Sequence, residues 1–128
     1  MERIIKSLII TLFICCINIC VPTVANTNIS ATMATTTDCI KTFPIGYKKL
    51  YFLTLSATTQ YNYEIKEIQT KSGFIIFTDN NNKTFLASII YVSSAKSMLK
   101  IAPCDNTYNF TVNTPNNIFN YVEENLTK

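Results

Sequence analysis

The second half of the chain alternates apolar and polar positions in a pattern that predicts strands. "NYEIKEIQT" sets Tyr63 and Ile65 among Glu64 and Lys66, the two-residue period of a half-solvated strand, and the adjacent Glu67 and Ile68 break that phase as a bulge does. "FIIFTD" is a continuous apolar strand from Phe74 to Thr78, preceded by Gly73, one of 2 glycines, which marks a turn or a close approach of backbone. The asparagines of "NNNK" tolerate left-handed turn conformations and close a hairpin onto "TFLASIIYVSS". That strand presents Phe85, Ala87, Ile89 and Tyr91 on one face and Leu86, Ser88, Ile90 and Val92 on the other. After a turn at "SAKS", "MLKIAPC" predicts a further strand with Leu99 and Ile101 inward, Lys100 outward and Pro103 at its end.

Two segments change period. In "YKKLYFLTLSATTQY", Leu50, Leu53, Thr54 and Ala57 fall at helical spacing, although Tyr51, Leu53 and Leu55 also alternate; a helix is the preferred reading and a long strand the alternative. Near the C-terminus, Thr114 and Pro115 form a helix start, a hydroxyl at the N-cap and proline at the first helical position, and Ile118, Tyr121, Val122 and Leu126 then repeat at helical spacing. Glu123 and Glu124 oppose the helix dipole there and predict fraying. Ahead of all this, "CIKTFPIG" reads as a short lead-in strand that Pro44 confines to an edge. The elements combine into an α+β, two-layer domain: an antiparallel β-meander of about four strands packed by one or two helices.

The first residues follow a different logic. Arg3 and Lys6 precede an uncharged apolar run from Ser7 to Val21, Pro22 breaks it, and small residues flank a cut after Ala25, the three-part layout of a secretory signal peptide. The run is shorter than the roughly 20 residues a membrane-spanning helix needs. Residues 1–25 are therefore read as a signal peptide, 26–38 ("NTNISATMATTTD") as a flexible linker and 39–128 as a single domain. A lipobox fits poorly, since Ile14 precedes Cys15 and Ile19 precedes Cys20. Removing the leader leaves Cys39 and Cys104, a candidate disulfide in an oxidising compartment, periplasmic or extracellular.

Composition narrows the chemistry. With 48% apolar and 15% charged residues the chain is expected to fold, and its formal net charge of +3 is mild. Lysines are scattered and the only arginine lies in the leader, which argues against nucleic-acid binding. Histidine is absent, removing the commonest general acid/base and metal ligand, and no cofactor or metal site is expected. Glu64 and Glu67 would face opposite sides of a regular strand and could pair only across a bulge. Ser72 lacks the glycine elbow of a serine hydrolase. Asp79 with Asn80–Asn82 lacks the ligand spacing of a calcium loop and reads as a turn. The sequons at Asn28, Asn82, Asn109 and Asn125 are no more than an asparagine-rich composition supplies.

The order of a helix, "YEIKEIQTKSGFIIF", a strand and then "SMLKIAP" resembles the BamC-like small envelope lipoprotein domains over about Phe43 to Pro103. That resemblance implies a helix-plus-meander fold and a scaffolding or interaction role with no catalytic motif. The sequence thus leads to a non-catalytic exported domain with a protein partner in the envelope, and to membrane association only if the leader is retained or lipidated. Its surface candidates are Glu64, Lys66 and Lys100 on the outer sheet face, and Tyr108 with Phe110 in the crossing loop, which Tyr61 and Tyr63 would join. The alternatives are a small apolar ligand or lipid carrier using the gap between helix and sheet, and a carboxylate-based hydrolase.

Overall fold

A computed structural model of the chain describes residue 35, residues 39–107 and residues 109–128. The expected signal peptide, all of the expected linker except Thr35, and Tyr108 lie outside the described residues. In chain order the elements are β1 (Ile40–Phe43), α1 (Tyr47–Gln60), β2 (Glu64–Gln69), β3 (Phe74–Thr78), β4 (Thr84–Ser93), β5 (Lys96–Pro103) and α2 (Asn113–Glu124). The strands form one antiparallel sheet in the order β1-β5-β4-β3-β2. β2 to β5 are the predicted meander, and the lead-in strand adds a fifth at the expected edge position, antiparallel to β5, with Pro44 directly after its last residue.

The alternation sorts the sheet into two faces. Phe43, Ile75, Phe77, Phe85, Ala87, Ile89, Leu99 and Ile101 are buried on the face that carries both helices. α1 is a helix, not the alternative strand. It buries Leu50, Tyr51, Thr54, Ala57 and Thr58, and it packs across β2 to β5. Its buried threonines return their hydroxyls to the helix backbone, Thr54 Oγ1 to the Leu50 carbonyl at 2.8 Å and Thr58 Oγ1 to the Leu55 carbonyl at 2.7 Å, so neither hydroxyl is stranded under the sheet. α2 lies beside α1 and inserts Ile118, Phe119 and Val122, with the Phe119 ring 6.3 Å from that of Phe43.

Two details of α2 depart from expectation. The helix begins at Asn113, behind Val112, and Thr114 is no cap: its hydroxyl donates 2.7 Å to Asp79 Oδ2 instead. The other end, where two glutamates oppose the dipole, is tied down by Lys41, which pairs with Glu123 at 2.7 Å, and by Lys49 Nζ, which donates 2.6 Å to the Leu126 carbonyl.

The expected Cys39–Cys104 bridge is not formed. Ile40 pairs with Lys100, so Cys39 falls level with Ile101, and Cys104 lies three residues further along, about 10 Å at the strand rise and beyond the span a disulfide closes. Cys39 is buried and Cys104 is exposed. Burial raises the Cys104 thiol pKa above its ordinary value, and the neighbouring Asp105 charge adds to this.

Candidate functional site: the open sheet face

The face away from the helices is built by the same registers. Its central row runs Ile40–Lys100–Ser88–Phe74–Gln69 across all five strands, flanked on one side by Thr42–Met98–Ile90 and on the other by Ala102–Leu86–Ile76–Glu67, with Thr84–Thr78–Glu64 beyond. Ile40 is 41% exposed and Ile90 42%, and Phe74, Ile76, Leu86 and Met98 are half-buried. Among the described residues no element covers this face. Strands that are apolar on both sides are the mark of a sheet meant to be buried twice. That signal stands in the unbroken "FIIF" of β3 and in the Leu86–Ile90 stripe of β4.

The structure separates the expected surface residues. Glu64 and Lys66 form a solvated ion pair at 2.6 Å. The bulge lies at Lys66, between Ile65 and Glu67, one residue before the phase break suggested, and it turns both Glu64 and Glu67 to the open face. Glu67 accepts a hydrogen bond from Gln69. Lys100 shares the face but stands three strands from β2, about 14 Å away at the interstrand spacing.

Phe110 belongs to the opposite side. Its ring meets Phe85 edge-on at 5.0 Å and ends a ladder of aromatic rings that runs from Tyr61 through Tyr63, Phe77 and Phe85 at 5.5 to 5.8 Å spacing. Tyr63 is buried, with its hydroxyl accepting from Asn117 Nδ2 at 3.1 Å. Tyr63, Phe77 and Phe85 are core residues, and Tyr61 and Phe110 pack partly buried against them at the two ends of the ladder.

A second polar concentration joins the β3–β4 turn to α2. Asp79 is buried, and its Oδ1 accepts from the backbone N–H groups of Asn81 at 2.9 Å and Lys83 at 3.0 Å, while Oδ2 takes the Thr114 hydroxyl. Asn82 sits at φ 59° in the same turn, as the asparagine run predicts. Lys83 Nζ pairs with Asp105 Oδ2 at 2.7 Å and donates to Thr107 Oγ1 at 2.9 Å. The hydrogen bond from Lys83 and those from the Thr107 backbone and hydroxyl hold the Asp105 carboxyl down at about 2. A cavity of about 330 Å³ opens here between Asp79, Lys83, Asn109 and Phe110. Asp79 and Lys83 are already engaged with protein groups, so these charges brace a joint. A shallower cavity of about 490 Å³ beside the end of α1 is lined by Leu55, Ser56, Thr59, Gln60 and Asn62 and has no ionisable group among its described residues.

No known protein family matches the chain, and a comparison with curated proteins finds no relative.

Proposed function

We propose that this chain is a non-catalytic exported domain, periplasmic or extracellular, that docks a protein partner on the open face of its sheet. The observation that carries the reading is the apolar patch of Ile40, Phe74, Ile76, Leu86, Ile90 and Met98, backed by a rigid five-stranded sheet. Isolated exposed apolar residues need no partner, but a set spread over four of the five strands does. The segment from Arg3 to Ala25 supports export, and the resemblance to BamC-like envelope domains points to the same interaction role. The layer between α1 and the sheet, where a carried lipid would sit, is filled by Leu50, Ala57, Ile75, Phe77, Phe85 and Ile101, all fully buried, which favours docking over carriage.

A photo-reactive amino acid in place of Ile90, in the full chain expressed in its native host, tests this. Ile90 is expected to cross-link to polypeptide on illumination. The same probe in place of Phe52, 52% exposed on α1, is expected not to. Equal labelling from both positions, or none from either, would refute docking on this face.

A further inference from the structure

We infer that the occupant of the open face is a second copy of this chain, laid sheet on sheet about a two-fold axis that runs along β4. The inference rests on the docking reading above and names its partner. Three observations lead to it: the size of the face, the position of its centre, and the placement of its charges.

The face is about 24 Å wide over five strands and about 17 Å long, about 400 Å² in projection. Two such faces with interdigitating side chains, about 10 Å apart, bury on the order of 1,200 Å² of accessible surface, the lower end of what specific association uses. A smaller partner would leave part of the patch wet, whereas an identical sheet covers the whole of it.

β4 is the middle strand, and its outward residues are Leu86, Ser88 and Ile90. A two-fold axis along β4 stacks each β4 on its copy and sets β5 over the copy's β3 and β1 over the copy's β2. Strands of the two sheets then stay aligned, the usual geometry of packed sheets. Ser88, the smallest outward side chain of the three, lies at the point of closest approach.

Charge selects this axis over the other face-to-face choice. A two-fold axis perpendicular to the strands would set Lys100 against Lys100 of the copy, two like charges in a closing apolar interface. The axis along β4 sets Lys100 above the copy's Phe74 instead, one strand and one row from its Glu67, within reach of two extended side chains across the sheet gap. The face is positive at one end and negative at the other, with Lys100 on β5 and Glu64 and Glu67 on β2. A two-fold operation about the strand between them converts that asymmetry into self-complementarity. Lys66 is engaged by Glu64 within its own strand and leaves Glu67 as the partner for Lys100.

The test is sedimentation equilibrium of the full chain recovered from an exporting host, its mass read first. The wild-type chain is expected to dimerise at micromolar concentration. Ile90→Lys, at a position already 42% exposed and therefore tolerant of a polar side chain, is expected to raise the dissociation constant about tenfold or more. Lys100→Glu and Glu67→Lys are each expected to weaken the dimer about fivefold or more, and the double swap to restore it to within about threefold of wild type. Unchanged circular dichroism keeps these variants interpretable. A monomer at all concentrations overturns the inference, and so does a dimer indifferent to Ile90→Lys or a double swap no better than its singles. The photo-probe at Ile90 separates the remaining cases. A cross-link to another polypeptide, or to this chain's own N-terminal segment, refutes the second copy, the former leaving the docking reading intact. No cross-link at all refutes both.

Discussion

Replacing Gly73 with alanine is expected to be among the most damaging single-methyl additions in this protein. Gly73 has φ 72°, the left-handed region, which costs a residue with a Cβ about 1 to 2 kcal/mol. The added carbon would also lie 2.0 Å from Tyr47 Oη and 2.9 Å from the Ile89 carbonyl oxygen. The ring of Tyr47 must leave its place at the start of α1, forfeiting about 1 to 2 kcal/mol of packing. Ile89 cannot retreat cheaply, because its N–H donates 2.7 Å to the Gly73 carbonyl, and disturbing that bond costs about 1 kcal/mol. The sum is roughly 3 to 5 kcal/mol, and at the usual conversion for a domain near 100 residues the melting temperature falls by about 15 °C or more. Urea denaturation of Gly73→Ala, Tyr47→Ala and the double variant closes a cycle. Tyr47→Ala should remove the side-chain collision and leave the backbone terms, so a coupling of about 1 to 2 kcal/mol is expected. An additive cycle, or a loss under about 1 kcal/mol for Gly73→Ala alone, would refute the account.

Three further outcomes are expected. Asp79→Ala removes three hydrogen bonds to a buried carboxylate and is expected to cost about 3 kcal/mol in urea denaturation, with Asp79→Asn losing roughly a third as much because it retains an acceptor for the turn. Asp105, held down at about 2 from 3.8, stabilises the fold fully above its ordinary value, and this contribution disappears as pH falls through about 2; the stability gap between wild type and Asp105→Asn is expected to be constant above about pH 5 and to close between 3.8 and about 2, measured by thermal melts across that range. Maleimide is expected to modify Cys104 in the native protein, more slowly than an ordinary thiol given its raised pKa, and to reach Cys39 only on unfolding, while reduction leaves the intact mass unchanged.

Much of the architecture was legible because it depends on local period. β2 and β5 follow from alternation, β3 and β4 from apolar runs bounded by turn residues, the hairpin from a run of asparagines with Asn82 at positive φ, and the end of β1 from Pro44. α1 was ambiguous because a buried helix under a sheet is apolar on more than one side, and its threonines suit either state. What sequence spacing could not carry was distance through space. Thr114 has the residue type of a cap, yet Asp79, thirty-five positions earlier, competes for its hydroxyl. Cys39 and Cys104 look paired along the chain, and only the β1–β5 register sets them a strand's half-length apart. For the candidate face, the sequence singles out the charged residues Glu64, Lys66 and Lys100. The apolar stripes between them make up most of the face, and the sequence hides them because alternation assigns half of every strand to water.

The pairing of β1 with β5 also has a temporal side. Ile40 waits for Lys100, sixty positions later, so the sheet's outer edge cannot be completed until the β5 segment has emerged from the ribosome. The buried Asp79 carboxylate likewise waits thirty-five positions for its Thr114 hydroxyl. A domain whose late contacts reach back sixty and thirty-five positions stays unfinished while it is being made.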